Sequence, residues 1–542
     1  MFRPRYAVFL GILVLAAVTF TLMFAVNWHF IWPFVILAAL SAVGIYDLVQ
    51  KHHAVLRNYP VTGHFRYLFE AIRPEMRQYF FESNLDGRPF AREKRSLVYD
   101  RAKDIEGNVP FGTEYDVYDV DYSWVNHSVV PCHNEDTDYR VTVGGPDCKK
   151  PYSVSLFNIS AMSFGSLSGN AILALNTGAR MGGFAHDTGE GSVSRYHRQG
   201  GGDLIWELGS GYFGCRADDG TFDPDKFEAQ AKTDQIKMIE IKLSQGAKPG
   251  HGGVLPGPKV TEEIAEARGV PVGVECVSPA AHSAFSTPLE LLDFIATLRK
   301  LSGGKPVGFK LCLGHRWEFM AIAKAMLKTG IKPDFIVVDG AEGGTGAAPV
   351  EFTNRLGTPL RQGLTFVHNV LVGTGLRGDI KIGASGKLVS AFDIAGALSL
   401  GADWVNCARG FMFALGCIQS QSCHTNRCPT GVATQDKKRQ EALVVPDKAT
   451  RVFNFHRNTL KAVAEFTAAS GLHHPNEFRP EFIYLREGHR QVLPASAAMT
   501  WLREGQLLDD EDIPGFTTYW MMAQAESFEP MKTVSEVKQA AG

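Results

Sequence analysis

Three cysteines, Cys417, Cys423 and Cys428, fall within one short stretch of a 542-residue chain that has nine in all. Thiolates are soft ligands that suit iron–sulfur clusters, and Pro429 after the last of them is a frequent companion of such segments. Three sulfurs match a three-iron cluster better than a four-cysteine cubane; zinc with His424 as fourth ligand, or no metal at all, are the competing readings. The remaining cysteines are scattered and read as packing residues. Two lysines interrupt apolar runs, Lys310 in Val-Gly-Phe-Lys-Leu and Lys242 in Ile-Glu-Ile-Lys-Leu. A lysine is rarely buried unless it is paired, so each either points inward at an anion or sits on an outward face. Glu190 lies in a Gly-rich turn, as a polar partner at a site or as a solvated turn acid.

These residues can act together only if the fold converges them. From about residue 151, short apolar runs end in Gly-rich loops, and helical stretches follow several of them. The runs 153–160, 183–186, 235–243, 272–277, 306–313, 334–338, 379–382 and 404–407 read as eight strands. Helices are expected over 170–181, 262–267, 288–301, 317–329 and 388–400, and 205–215 as an inserted hairpin. This alternation predicts a (β/α)8 TIM barrel, in which the reactive face is the set of loops after the strands. A doubly wound sheet fits less well, because the first strand–helix loop lacks a GxGxxG turn. The loops then converge Met162, Ser163, Ser166, Glu190, Gln245, Lys248, Gly343, Gly344, Ser385, Gly386, Ala408 and Arg409. Glycines there let backbone N–H groups approach a phosphate or a flat ring.

Composition narrows the class. Lys and Arg number 55 against 57 Asp and Glu, a net charge of −2, so a nucleic-acid binder living on phosphate contacts is excluded. Residues 6–26 carry no charge, and a second apolar run spans 30–46 after the break Asn27-Trp28-His29. Each is long enough, or nearly so, to cross a bilayer. Arg3 and Arg5 precede the hairpin and Lys51 and Arg57 follow it, which predicts both ends in the cytoplasm, at an inner or plasma membrane. A signal peptide is the alternative, but its apolar region is shorter. The expected organisation is a two-helix anchor over 1–53, an irregular lead-in over 54–150, the barrel with its cysteine segment over 151–435, and a helical, loop-rich extension over 436–542.

The motifs together resemble the synthase domain of glutamate synthases. Ala-Met-Ser-Phe-Gly-Ser (161–166), Thr-Gly-Glu-Gly (188–191), Gln-Gly-Ala-Lys-Pro-Gly (245–250), Gly-Gly-Thr-Gly-Ala (343–347) and Cys-Pro-Thr-Gly-Val-Ala-Thr-Gln (428–435) occur in that family's order. The resemblance implies FMN at the barrel mouth and a 3Fe-4S cluster on Cys417, Cys423 and Cys428. It implies reduction of the imino acid formed from 2-oxoglutarate and ammonia or an amine, with Lys310 facing the flavin and Met162, Ser163, Gln245, Gly343 and Gly344 lining it. Ser385, Gly386, Ala408 and Arg409 would hold the phosphate, and Lys242, Gln245, Lys248 and Glu190 the substrate. With no nicotinamide fingerprint, the donor would be separate, a ferredoxin or a reductase subunit. Two features depart from the family. The chain opens on Met1-Phe2 and an apolar run where the family has a glutaminase domain, so ammonia is expected to be taken directly. His251 and Val254 stand where the family has an acid and an amide, near the keto-acid pocket. An electron-transfer subunit of a membrane complex, with no keto acid of its own, is the alternative function.

Overall fold

Eight parallel strands close a barrel in strict chain order: β1 (Phe157–Ile159), β2 (His186–Asp187), β3 (Leu204–Leu208), β4 (Ile236–Lys242), β5 (Val307–Leu311), β6 (Phe335–Asp339), β7 (Lys381–Ser385) and β8 (Trp404–Cys407). This computed structural model describes residues 4–134, 137–509 and 511–531. The chain divides into two units, residues 1–92 and 93–542, and the barrel lies in the second.

Apolar strand residues such as Phe157, Ile239, Phe309 and Ile336 are wholly buried, as expected where helices cover a parallel sheet. The covering helices begin on local signals. Thr287 and Glu290 form a capping box around Pro288 at the start of Pro288–Leu301, and Ser390 and Asp393 do the same for Ala391–Ser399. Gly183, at φ 64°, ends Gly169–Gly182 in the left-handed conformation. The long helix Val445–Ala469 packs on Gly169–Gly182 and so adds an outer layer near β1.

Three strand expectations are corrected. The third barrel strand is Leu204–Leu208, buried at every position, and not part of an inserted hairpin. Its glycines at 209 and 211 belong to the loop that follows it. The run 272–277 is not a barrel strand: Cys276–Val277 pairs antiparallel with Val254–Leu255, forming a ribbon beside the mouth. The run 153–160 also splits. Tyr152–Ser155 pairs antiparallel with Arg140–Val143, and only Phe157–Ile159 enters the barrel.

The first unit holds α1 (Ala7–Ala25) and α2 (Ile31–Val49). Two spans, Ala7–Ala25 and Trp28–Val49, are long and apolar enough to cross a membrane. The Asn27 side chain accepts the His29 N–H at 2.9 Å and fixes the turn between them. The following segment is less irregular than its prolines suggest. Helix α3 (His64–Met76) carries Pro74 in its last turns, and a π-helical turn, Arg77–Phe81, follows at once. A further helix spans Arg92–Ala102.

Candidate active site

At the C-terminal mouth of the barrel the strand loops line an open cleft. Its walls come from the loops after β1 (Met162, Ser163), β2 (Glu190), β4 (Gln245, Lys248), β6 (Gly344) and β8 (Ala408, Arg409), with Lys242 at the end of β4. Five of the seven loops singled out by sequence therefore meet here, and the loops at 278–279 and 383–386 do not line the cleft. Close backbone approach explains the glycines. A Cβ on Gly189, which sits at φ 62°, would lie 2.7 Å from the Ser163 nitrogen, and one on Gly246 would lie 1.8 Å from the Gly340 carbonyl oxygen. Gly246→Ala is expected to push the β4 and β6 loops apart and to cost about 1–3 kcal/mol by overpacking; a melting curve unchanged from the parent would contradict this close fit.

The cleft is lined by four cations, Lys242, Lys248, Lys259 and Arg409, against two carboxylates, Glu190 and Glu207. It is therefore suited to an anion. Lys242 and Glu190 form an ion pair at 3.3 Å, and Ser278 donates to the same Glu190 oxygen at 3.4 Å. Burial pushes the Glu190 carboxyl up, but Lys242, Arg268 and Lys248 outweigh it and hold it below its ordinary value. Lys248 donates to the Gly252 carbonyl at 3.0 Å, and burial lowers its pKa. Lys259 donates to the Cys423 carbonyl at 2.8 Å. Arg409 donates to the Thr345 carbonyl at 2.9 Å, bracing the loop after β6.

Below the cleft lies a cluster that sequence reading found only in part. Lys310 on β5 bonds to Glu207 on β3 and lies 3.2 Å from Glu240 on β4. Asp187 on β2 joins them, with carboxylate oxygens of Asp187, Glu207 and Glu240 all within 4.8 Å of one another. All four side chains are buried, and only Glu207 also lines the cleft. Three carboxylates around one ammonium cannot all be ionised in a dry interior. Burial, Glu240 and Glu207 raise Asp187 well above its ordinary value despite Lys310, and burial and Glu207 raise Glu240 to about 7. Burial works against the Lys310 ammonium, but Glu207, Glu240 and Asp187 outweigh it and raise its pKa. Lys310, expected from the resemblance to face the flavin, lies below the cleft with its ammonium against Glu207 and Glu240, and Glu207 is the member of the cluster that lines the cleft. The signal was present, since Glu240 occupies the same apolar strand as Lys242.

The phosphate expectation divides in the same way. Ala408 and Arg409 line the cleft, whereas Ser385 and Gly386 do not; of the two glycines expected along the flavin, Gly344 lines the cleft and Gly343 does not. The Ser385 hydroxyl is taken up by Asp339, whose other oxygen accepts the Gly246 N–H at 2.7 Å. Gly386 lines a neighbouring cavity with Glu342 and Lys387. Of the two residues that depart from the family, Val254 lines the cleft, and His251 lies in a smaller adjoining pocket with Nδ1 2.8 Å from the Gly252 carbonyl.

The cysteine segment wraps the edge of the cleft. Gln419, Gln421 and Asn426 all take the left-handed conformation, φ 59°, 55° and 61°, and coil the loop that carries the thiols. Cys423 lines the cleft. The Gln419 N–H points at Cys417 Sγ at 3.5 Å, and the Thr430 hydroxyl lies 3.5 Å from Cys428 Sγ. All three cysteines are free thiols. Among the described residues, their sulfurs do not gather within 4.8 Å of one another as the acids do.

Comparison with known proteins gives consistent results. The family described as "Conserved region in glutamate synthase" matches residues 133–473. The glutamate synthase large subunit-like protein YerD of Bacillus subtilis (strain 168) is 39% identical over 490 residues, 83% of this chain and 93% of that protein. The archaeal-type glutamate synthase (NADPH) of Thermotoga maritima is 35% identical over 335 residues, so the match spans 62% of this chain and 61% of that protein. Among solved structures, mandelate oxidase with (S)-4-hydroxymandelic acid aligns at 14% identity and a TM-score of 0.41, covering 71% of this chain and 89% of that one.

Proposed function

The chain belongs to the glutamate synthase family, whose conserved region it carries, and from that premise we propose that it is a membrane-anchored, glutamate synthase-type oxidoreductase reducing an imino acid formed from 2-oxoglutarate and ammonia or an amine. The observation that carries this reading is the cation-rich cleft at the barrel mouth, with Lys242 and Lys248 beside Gln245. A five-carbon dicarboxylate needs charge-assisted clamps at its ends, and such pairs set orientation.

FMN fits the same mouth. Met162 and Ser163 line the wall after β1, Gly344 makes room for the Arg409 guanidinium, and Ala408 and Arg409 stand where barrel enzymes hold a phosphate. When bound, the flavin would supply the hydride chemistry. The protein's own groups do the rest. Lys242 and Lys248 orient the carboxylates, Gln245 offers an amide to the substrate or the ring, and Glu190 holds Lys242 in place until an anion arrives. Glu207 places a carboxyl group at the floor, held by Lys310.

The cysteine segment supports a cluster better than a single zinc ion. Three thiols with no fourth sulfur match an open-cornered three-iron cluster, and among the described residues no His, Asp or Glu joins them in a compact four-ligand set of the kind zinc takes. We assign Cys417, Cys423 and Cys428 as ligands of a 3Fe-4S cluster that passes electrons from a separate donor. Protein purified anaerobically is expected to carry iron and FMN, and Cys423→Ser to lose the iron while the barrel still binds FMN. Stoichiometric zinc without iron would overturn the assignment.

The spans Ala7–Ala25 and Trp28–Val49 serve in this reading as a hairpin anchor with both ends on the cytoplasmic side. Arg5 before α1 and Lys51 and Arg57 after α2 support that orientation.

A further inference from the structure

Helix α3 displays a continuous apolar stripe that, among the described residues, no other part of the first unit covers. Phe65, Leu68, Phe69, Ile72 and Met76 recur at helical spacing, and Phe80 continues the line through the π-helical turn. Their exposures run from 38% at Met76 to 73% at Phe80. A soluble surface does not leave an aromatic-rich face of this kind in water without a partner.

Three features identify what covers it. The first is placement. Asp47, fully buried in the last turn of α2, accepts the Val61 N–H at 2.9 Å and lies 2.9 Å from His64 Nε2 at the start of α3. This clamp fixes the root of α3 to the end of an apolar span. The second is charge. Between residues 51 and 82 stand Lys51, Arg57, Arg66, Arg73 and Arg77 against Glu70, Glu75 and Glu82, with Arg66 and Arg77 held by Glu70 and Glu82 at 3.1 and 3.5 Å, which leaves a net excess of positive charge that complements anionic headgroups. The third is geometry. At 100° per residue Arg66, Arg73 and Arg77 align along one edge of the stripe, where their long side chains reach headgroup phosphates while the aromatic rings enter the acyl boundary.

We propose that α3 is an in-plane membrane helix, lying on the bilayer beside the hairpin with Phe65, Leu68, Phe69, Ile72, Met76 and Phe80 immersed. Helices of this type bury their apolar face about 5–10 Å into the interface. The proposal rests on the hairpin reading for the location of the bilayer but makes a separate claim about residues outside both spans. It implies that the polypeptide leaves the membrane along its surface, and that the segment after the anchor adds its own grip on anionic lipid.

The test uses the full-length protein in bilayers containing phosphatidylglycerol, with a photo-activatable diazirine residue placed singly. Positions 69 and 72 report the stripe, 66 and 73 the polar edge, and 14 and 36 the two spans. Lipid adducts severalfold more abundant from 69 and 72 than from 66 and 73 are the expected result. Adducts from 14 and 36 with none from 69 and 72 would overturn the in-plane helix while leaving the hairpin intact. Lipid adducts from the stripe with none from 14 and 36 would uphold α3 and refute the hairpin. Cross-links from 69 or 72 to protein, whether residues 93–542 or a second copy, would overturn the proposal by naming a different occupant.

Discussion

Lys310→Met is expected to lower folding stability by about 3–5 kcal/mol at neutral pH, the scale for removing one member of a buried charge group. The substitution is close in volume, so packing contributes little; the loss comes from leaving Asp187, Glu207 and Glu240 together without a cation. The pH dependence has a definite sign. Burial raises Glu240 in the folded protein to about 7 from an ordinary 4.5, and Asp187 is raised as well. The folded state therefore binds more protons than the unfolded chain across that window. Stability falls as pH rises through it, with a slope of about 1.4 kcal/mol per pH unit for each such proton. Without Lys310 to favour ionised carboxylates, the window extends upward and the variant loses stability at higher pH than the parent does. Adding Glu207→Gln to Lys310→Met should recover part of the loss. Chemical denaturation of the three proteins between pH 5 and 8 measures it. A loss under about 1 kcal/mol, typical of an exposed pair, would show that the cluster is hydrated.

The second large effect concerns ligand binding, and it carries opposite signs at the two ends of one ion pair. Lys242 is held by Glu190 at 3.3 Å, so an incoming carboxylate must replace Glu190 as its partner. Lys242→Ala removes the clamp and should weaken 2-oxoglutarate binding by about 2 kcal/mol or more, roughly 30-fold. Glu190→Gln removes the competitor while keeping the shape, and should tighten binding by up to about tenfold, 1.4 kcal/mol. Calorimetric titration of flavin-loaded protein reads both. Shifts in the same direction would mean that Glu190 binds the substrate rather than guarding Lys242.

Much of the barrel was legible because β4, β5, β6 and β8 are short, mostly apolar runs ending in glycine-bearing loops, broken in β4 and β5 only by charged residues that stood out for that reason. β3 was missed because Glu207 and the glycines after it imitate a hairpin; its burial depends on a lysine 103 positions away. Cys276–Val277 looked like a barrel strand because the local pattern cannot tell a ribbon from a barrel stave. In the lead-in, Pro74 hid a helix that ends just after it. The cleft shows the same division. Lys242, Gln245, Lys248 and Arg409 were readable from residue type and loop position, and they do line it. Lys259 was not, because it arrives on the excursion after β4 and not on a strand loop. Ser385 and Gly386 were expected from loop position alone, which carries no information about Asp339 and Glu342 standing beside them.

The central claim is the reaction, and stopped-flow spectroscopy tests it most directly. Photoreduced protein, loaded with FMN and iron, is mixed under anaerobic conditions with 2-oxoglutarate and ammonium. Rapid return of the oxidised flavin absorbance, with glutamate formed in equal amount and neither reagent effective alone, is the result this account predicts. No reoxidation by 2-oxoglutarate with ammonium or any small amine would contradict it, and would favour an electron-transfer subunit that keeps the family's fold without its substrate.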